Sequence, residues 1–417
     1  MYDVSIVGAG PVGSYIAYRL ARLGYEVAVF EAKEAIGSQM CCTGIISREC
    51  YDLFSPTSNV VLREARSAKF IVPSGQYLRL EKNTVQAYII DRAAFDVALA
   101  KRAQEAGARY FLQSMVTDAI LEREGWQIEV SSGGQRQTFN SGAMVIACGF
   151  GSSLPQRLGM GKIDNFLAGA QTEVNTTLDE VEVYFDQELA PGGFAWLVPT
   201  SMGRGLAGVL CRHDARLCLE GLLSRLMAED KVSSSEFDIR QGAIPLGTLP
   251  RTYADRLLVV GEAAGQVKPT TGGGIYFGLL CASIAANNLH QGFMSGDLSS
   301  SRLSRYQKEW QAKIGYELRL DYWARKIYGK VTQRQMERLF DVIQSSKIHE
   351  QFLNWEGFSF DYHGGLIFRT LRQPRLLAGI VTPRLLFSSL GVPALVQLAL
   401  RRNGGKASAT SSKQRDS

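Results

Sequence analysis

The first thirty-two residues, MYDVSIVGAGPVGSYIAYRLARLGYEVAVFEA, decide the fold. Tyr2–Val7 is a short, apolar and β-branched run that predicts a buried strand, and a glycine turn at Gly8–Gly13 follows it. Residues 11–23 carry apolar side chains at helical spacing up to Gly24, and Glu26–Phe30 predicts a second strand. This order makes a βαβ unit, which requires a parallel sheet.

The glycine turn has the GxGxxG spacing of a dinucleotide-binding loop. Gly8 permits the tight turn, Gly10 lets the backbone approach a pyrophosphate, and Gly13 lets helix and strand pack closely. An acid, Glu31, ends the second strand, which predicts a ribose with a free hydroxyl and therefore FAD or NAD rather than NADP. A glycine turn without a ligand is the alternative. The residues predicted to bind the dinucleotide here are Gly8, Gly10, Pro11, Val12, Gly13, Glu31 and Ala32.

Composition narrows the class of protein. The 417 residues are 46% hydrophobic and 21% charged with a net charge of +6, which is an ordinary globular balance and predicts no nucleic-acid partner. Seven cysteines without a CxxC pair and an N-terminus without a basic and apolar leader predict a reduced, cytoplasmic location. The four histidines show no metal-ligand spacing, so we expect no metal.

Further along the chain, stretches typical of parallel strands alternate with stretches typical of antiparallel strands. Ala143–Ala147 and Arg256–Val260 read as buried parallel strands, whereas the stretches between them favour antiparallel strands. The predicted fold class is α/β: a Rossmann-like dinucleotide domain interrupted by an antiparallel-sheet substrate domain, with a C-terminal helical extension. The predicted ranges are 1–60, 91–160 and 250–295 for the dinucleotide domain, 61–90 and 161–249 for the substrate domain, 296–402 for the helices and 403–417 for a disordered tail.

Two later motifs favour FAD over NAD. GEAAG (261–265) follows a predicted parallel strand, and KPTTGGGI (268–275) opens an alanine-rich helix. Free backbone N–H groups at a helix N-terminus favour the negative charge of a reduced flavin. The order of motifs resembles the flavoprotein superfamily of p-hydroxybenzoate hydroxylase, flavin halogenases and geranylgeranyl reductases. The resemblance implies that Glu262 contacts ribityl or phosphate groups and that the helix start faces the isoalloxazine ring.

Other matches extend the resemblance with two departures. Arg92 in IIDRAAFD is similar to the family's arginine before the second helix, and Cys148-Gly149 lies where the family has Asp-Gly. Glu262 replaces an aspartate and should keep its role, whereas Cys148 weakens that contact. The further residues expected to bind FAD are Cys42, Gly44, Arg92, Val116, Gly149, Gly261, Glu262, Gly272, Gly273, Gly274 and Ile275.

Three stretches resemble the geranylgeranyl reductases in particular, over roughly residues 1–330. They are Cys41-Cys42-Thr43-Gly44, GFAWLVP (193–199), which is similar to a YxWxFP motif with Phe194 in place of the tyrosine, and KPTTGGGI. The resemblance implies an FAD-dependent reductase that saturates C=C bonds of a polyprenyl lipid by hydride from flavin N5 plus a proton. Gly265 stands where aromatic hydroxylases carry histidine, which counts against a monooxygenase.

The resemblance assigns two roles, each with a plainer alternative. Cys42 is expected beside the flavin as the catalytic proton donor or relay; the alternative is a small buried hydrophobe. Phe194 and Trp196 share one side of a strand and are expected to bind the substrate as a tunnel wall; the alternative is ordinary sheet core.

The stretch 366–402 contains six arginines and no acid, and its uncharged part is too short to cross a bilayer. It predicts peripheral contact with an anionic membrane, at the inner face, or a helix packed on the enzyme itself.

Other functions remain as rivals. A flavin monooxygenase or halogenase acting on an aromatic substrate shares the same frame, and a halogenase would need a catalytic lysine, for which Lys69 and Lys162 are weak candidates. An iron–sulfur quinone oxidoreductase is excluded because no cysteine follows Cys281. A binding module without turnover leaves the two flavin-facing loops unexplained.

Only one dinucleotide fingerprint is present, so the electron donor is a transiently bound NAD(P)H, ferredoxin or another reductase. The prenyl lipid, the number of bonds reduced and the oligomeric state stay open.

Overall fold

A computed structural model describes residues 1–54, 58–233, 237–355 and 359–371 of the chain. Strands within these ranges are β1 Tyr2–Val7, β2 Val27–Phe30, β3 Ile45–Ser47, β4 Val61–Ala65, β5 Ser67–Ile71, β6 Tyr77–Glu81, β7 Ala87–Ile90, β8 Arg109–Phe111, β9 Ser114–Leu121, β10 Trp126–Ser132, β11 Gln135–Ile146, β12 Phe166–Asn175, β13 Val181–Tyr184, β14 Phe194–Pro199, β15 Arg204–Cys211, β16 Arg240–Pro245, β17 Tyr253–Ala254 and β18 Leu257–Val259.

Helices within the same ranges are α1 Pro11–Ala21, α2 Arg48–Phe54, α3 Arg92–Glu105, α4 Leu154–Arg157, α5 Ala215–Ala228, α6 Ile275–Ser295, α7 Ser300–Trp310, α8 Tyr316–Tyr328, α9 Gln333–Ser345, α10 Ile348–Leu353 and α11 Gly364–Leu371. A π-helical turn at Gln311–Gly315 joins α7 to α8, and 3₁₀ turns cover Ser58–Val60 and Gly261–Ala264.

The first sheet is the predicted dinucleotide sheet. Its strand order is β17-β18-β11-β1-β2-β8, and β1 runs parallel to both β2 and β11. Helices α1, α3 and α6 contribute to one apolar core with Val4 and Ile6 of β1, because the right-handed crossover places helices against the sheet face. Strand β9 pairs with β10, and this hairpin extends antiparallel from β11. The predicted βαβ unit is confirmed.

The second sheet is antiparallel except for one pair. Its order is β16-β12-β15-β14-β13-β5-β6, with β13 parallel to β5. Helix α5 covers one face through buried Leu219, Leu222 and Leu226, whereas Trp196, Val198 and other residues of a separate apolar cluster lie on the opposite side. The sheet therefore has one face packed on its own helix and another face free to line a cavity.

Strands of the segment 61–90 are divided between two sheets. β5 and β6 join the large antiparallel sheet, but β4 and β7 pair with β3 in a separate three-stranded sheet. Ile90 of β7 is buried in the core of the dinucleotide sheet, directly before α3. The segment 61–90 therefore contributes strands to two different sheets, and its last residue lies in the core of the dinucleotide sheet.

The expected C-terminal helical extension is present as far as Leu371, and residues 372–417, with most of the arginine-rich stretch and the tail, lie outside the described residues. Trp310 at the end of α7 is buried and donates a hydrogen bond from Nε1 to Thr252 Oγ1 at 3.0 Å, which fixes the extension to the dinucleotide sheet. Of the helices described, none has the length and apolar character needed to cross a membrane.

Candidate active site

One cavity of about 1490 Å³ lies where the two large sheets and helix α8 meet. We call the part lined by the Gly8–Gly13 and Gly272–Gly274 loops the cofactor end, and the part lined by Phe194, Trp196, Arg325 and Tyr328 the aromatic end. Of the predicted site residues, Gly13 and Gly261 do not line the cavity. Those that do are Gly8, Gly10, Pro11, Val12, Glu31, Ala32, Cys42, Gly44, Arg92, Val116, Gly149, Phe194, Trp196, Glu262, Gly272, Gly273, Gly274 and Ile275.

The glycines of the first loop are required for different reasons. Gly8 has φ +106°, and a Cβ there would lie 2.6 Å from the Ala147 carbonyl oxygen. A Cβ on Gly13 would lie 2.0 Å from the Gly8 carbonyl oxygen, so this glycine serves packing. Gly10 is ordinary extended backbone (φ −67°, ψ −179°), and a Cβ there would meet nothing within 4 Å. The space in front of Gly10, at the N-terminus of α1, therefore fits a pyrophosphate.

Glu31 holds the shape of this loop. Its carboxylate accepts hydrogen bonds from Ala9 N–H at 2.9 Å and from Lys33 N–H at 3.0 Å. The acid at the end of β2 thus also fixes the glycine loop after β1, while it lines the cavity where a ribose would bind.

Glu262 lies at the junction of the two glycine loops. Burial raises the pKa of its carboxyl group, and the charge of Arg92 acts in the opposite direction. A Cβ on Gly274 would lie 3.0 Å from Glu262 Oε1, so the start of α6 approaches this carboxyl group closely. Gly272, with φ +76°, turns the chain so that its N–H donates to the Lys268 carbonyl oxygen at 2.8 Å.

The loop that carries Cys42 is anchored from both sheets. Gly44 has φ +72°, and a Cβ there would lie 2.4 Å from the Ile90 carbonyl oxygen. On the other side, Thr43 Oγ1 donates to Gln171 Oε1 at 3.0 Å, and Gln171 Nε2 donates to the Cys42 carbonyl oxygen at 3.3 Å. The loop is thereby clamped between β7 and β12.

The two neighbouring cysteines lie in different surroundings. Cys41 packs against β16, where a Cβ on Gly242 would lie 3.2 Å from Cys41 Cβ, and burial raises the pKa of its thiol to about 12. Cys42 is half-buried and lies near the Arg92 guanidinium. Cys42 rather than Cys41 therefore has the arginine as a neighbour and also lines the cavity beside Gly44 and Arg92.

Arg92 also forms an ion pair with an acidic side chain. It lies in the first turn of α3, and its Nη2 donates to Asp96 Oδ2 at 2.8 Å, one helical turn away. Burial disfavours its charge, yet the neighbouring Cys42 and Asp96 raise the pKa of Arg92 overall. Arg92 is therefore a fixed positive charge beside Cys42.

The aromatic end is apolar. Trp196 is buried against Gly208, where a Cβ would lie 2.3 Å from the indole ring. Its Nε1 is buried and has no hydrogen-bond partner among the described residues. Phe194 packs on Trp196 with ring centroids 5.8 Å apart. Further apolar residues line the cavity here, namely Val181, Val183, Phe185, Val198, Leu210 and Ile244.

A buried ion pair closes the cofactor end. Lys268 Nζ donates to Asp361 Oδ1 at 2.7 Å, and the two residues are only 4% and 3% exposed. Beside them Thr270 Oγ1 donates to Asp321 Oδ2 at 3.0 Å and lies 3.0 Å from His363 Nδ1. The loop before α6 is thus tied to α8 and to the segment before α11.

Sequence reasoning missed several of these residues. Asp96 stands four residues after Arg92, a spacing that could have identified the pair. Gln171, Asp361 and Arg325 had no local signal, because each comes from an element far away in the chain.

Comparisons with known proteins agree with this geometry. The family model described as FAD dependent oxidoreductase matches residues 3–88, and the tryptophan halogenase model matches residues 51–351. Digeranylgeranylglycerophospholipid reductase 2 of Methanothermobacter thermautotrophicus is 32% identical over 366 residues, covering 83% of this chain and 93% of its own. The corresponding reductase of Methanocaldococcus jannaschii is 31% identical over 363 residues, with 83% and 91% covered.

Solved structures share the fold. A geranylgeranyl bacteriochlorophyll reductase-like protein of Thermoplasma acidophilum superposes with a TM-score of 0.79 at 20% identity, covering 90% of this chain and 98% of its own. A flavin-dependent brominase gives 0.63 at 16% identity, covering 97% and 99%, which shows the common fold alone.

The two lysines considered for a halogenase lie outside the cavity. Lys162 is exposed and paired with Asp164, and Lys69 is paired with Glu180, 3.5 Å away. Neither lysine lines the cavity. The match to the halogenase model reflects the shared flavoprotein frame, whereas identity of 30% or more over most of both chains is found with the reductases. FAD is the cofactor, and the chain belongs to the digeranylgeranylglycerophospholipid reductase family of FAD-dependent oxidoreductases.

Proposed function

We propose that this chain reduces C=C bonds of a polyprenyl chain carried by a lipid. Its relatives are named digeranylgeranylglycerophospholipid reductases. The observation that carries the proposal is the composition of this cavity. It joins a dinucleotide-binding loop, a half-buried cysteine beside an arginine, and an apolar aromatic wall. An apolar chain bound at the aromatic end would lie in the same cavity as the cofactor end.

FAD is held by backbone groups more than by side chains. We assign its pyrophosphate to the N–H groups at the start of α1, its ribose to Glu31, and its ring system to the loop Gly272–Gly274. When bound there, FAD supplies the hydride that one alkene carbon receives.

Cys42 supplies the proton that the other alkene carbon receives. The S–H bond breaks as the new C–H bond forms, and the thiolate left behind is stabilised by Arg92. Solvent restores the thiol afterwards, since Cys42 is only half-buried. Hydride plus proton add two hydrogens to each reduced bond.

Residues of the aromatic end exclude water and position the chain. Phe194, Trp196 and the aliphatic residues around them offer no hydrogen bond to an alkene, so binding follows apolar contact rather than polar recognition. Trp196 Nε1, a buried polar atom in this wall, has no hydrogen-bond partner among the described residues.

We further propose a transient electron donor, NAD(P)H, ferredoxin or another reductase, for the bound flavin. The stretch 366–402 would hold the enzyme at the inner face of an anionic membrane, where a polyprenyl lipid resides; most of that stretch lies beyond Leu371, outside the described residues.

An anaerobic assay tests the reaction type. The FAD-loaded protein is reduced with dithionite and mixed with geranylgeranyl diphosphate or with a geranylgeranyl glycerolipid in detergent. We expect the flavin absorbance to return and the lipid to gain two mass units per reduced bond. A matched sample with oxygen, halide and an aromatic substrate should give no hydroxylated or halogenated product.

The opposite pattern would overturn the proposal. If every prenyl lipid left the flavin reduced, while oxygen and an aromatic substrate gave a hydroxylated or halogenated product, the enzyme would be a monooxygenase or halogenase.

A further inference from the structure

Arg325 is a buried cation at the aromatic end of the cavity. It belongs to α8, is 6% exposed, and lines the cavity together with Ala324 and Tyr328. Nothing in the reaction proposed above uses it, because an alkene offers no partner to a guanidinium.

The contacts of Arg325 leave most of its donors free. Nη2 donates to the Gly192 carbonyl oxygen at 2.6 Å, and the guanidinium lies 5.1 Å from the Tyr328 ring centroid and 5.9 Å from that of Phe194. No carboxylate forms an ion pair with it in the described part of the chain. A guanidinium carries five N–H donors, of which one is used here.

Nearby charges do not compensate Arg325. Asp186, near Tyr328, pairs with Arg225 at 3.2 Å, and Asp321, one helical turn before Arg325, accepts a hydrogen bond from Thr270. Arg212 adds a second positive charge near Arg325. Burial lowers the pKa of Arg325 to about 10, so the group still carries its charge at neutral pH.

The other buried cations of the same cavity are neutralised. Arg92 pairs with Asp96 and Lys268 pairs with Asp361, both within 2.8 Å. A buried charge without an acid is costly, and stacking on two aromatic rings compensates only part of that cost. An anion supplied from outside would complete the site.

We propose that Arg325 binds the phosphate of the lipid substrate's head group, and that the prenyl chain runs from there towards Cys42. This inference rests on the proposed function and names the part of the substrate that the aromatic end recognises. Arginine suits a phosphate because its planar fork donates two parallel hydrogen bonds. Phe194, on which Arg325 stacks, pairs with Leu210, and Leu210 lies against Gly272 of the cofactor loop.

The test compares two ligands that share one chain. Binding of geranylgeranyl diphosphate and of geranylgeraniol to the FAD-loaded protein is measured by calorimetry in detergent, for wild type and Arg325→Met. We expect wild type to prefer the diphosphate by about 30-fold or more, and Arg325→Met to reduce that ratio to a few-fold while binding the alcohol as before.

Controls separate recognition from folding. Arg319→Met removes an exposed arginine from the same helix and should keep the wild-type ratio. Methionine replaces an uncompensated buried charge, so Arg325→Met should melt no lower than wild type and keep its FAD. Arg325→Lys keeps the charge but loses the fork and should give an intermediate ratio, which also serves if the methionine variant fails to fold.

Each contrary outcome has a distinct meaning. An unchanged ratio in the Arg325 variants would overturn the inference and leave the reductase intact. Inorganic pyrophosphate that binds through Arg325 as tightly as the lipid would make free phosphate, and not a head group, the occupant. If wild type bound and reduced neither lipid, the proposed function itself would fail.

Discussion

The two ends of the cavity bind their ligands by different means. At the cofactor end, glycines leave space for the ligand beside the backbone, and Glu31 fixes the first loop. The cations Arg92 and Lys268 each pair with an acid there. At the aromatic end side chains line the cavity, and Arg325 has no acid among the described residues. The buried positive charges at the cofactor end are therefore neutralised by the protein itself. The positive charge at the aromatic end is left for an anionic group of the ligand to neutralise.

The largest effect is expected where the two ends meet, at Cys42. Cys42→Ala removes the proton donor and should slow lipid-dependent reoxidation of the flavin about 100-fold or more, which anaerobic stopped-flow absorbance measures. Cys41→Ala is the matched control, because Cys41 packs on β16 and should leave the rate near that of wild type. Equal losses in both variants would mean that loop packing, and not a proton, was removed.

Asp361→Asn would make Lys268 resemble Arg325. It leaves a buried ammonium without its acid and should lower the free energy of unfolding by about 3 kcal/mol or more, measured by denaturant titration. Adding Lys268→Met should restore most of the loss, because the remaining charge is then gone. Asp164→Asn, in an exposed pair, is the control and should change nothing measurable. A small loss in Asp361→Asn would contradict the contrast between paired and unpaired cations.

Gly10→Ala tests whether the cofactor end is shaped for its ligand. The methyl group meets no protein atom within 4 Å, so the apoprotein should keep its stability. The methyl group would occupy the space assigned to the pyrophosphate, and FAD affinity should fall about tenfold to 100-fold, measured by fluorescence titration. Gly247→Ala, also with open space but outside the cavity, should bind FAD like wild type. An unchanged FAD affinity in Gly10→Ala would mean that the pyrophosphate binds elsewhere.

The smallest effect is expected at Gln171, which anchors the loop that carries Cys42 to β12. Gln171→Leu removes the hydrogen bonds to Thr43 and to the Cys42 carbonyl and should slow lipid-dependent reoxidation roughly fivefold to tenfold, at about 0.5–0.7 kcal/mol per bond. FAD content should not change. Thr43→Val combined with Gln171→Leu should cost less than the sum of the two single effects, since both act on one bond; full additivity would contradict the anchor.

The sequence predicted the cofactor end better than the aromatic end. The strand, the glycine turn and Glu31 are consecutive features whose spacing has a physical meaning, so the βαβ unit could be derived before the structure. Phe194 and Trp196 were placed by resemblance. Gln171 meets Thr43 across 128 residues, and Asp361 meets Lys268 across 93, so only the folded chain brings them together. The division of 61–90 between two sheets likewise depends on which core buries Ile90.

The central claim is that one cavity brings FAD and a prenyl chain together for reduction of a C=C bond. The most direct measurement is an anaerobic single turnover that compares flavin reoxidised with double bonds lost, the latter counted by mass spectrometry, and uses the fully saturated lipid as control. The account predicts one double bond lost per flavin reoxidised and no reoxidation by the saturated lipid. Reoxidation without a gain of two mass units, or equal reoxidation by the saturated lipid, would contradict it.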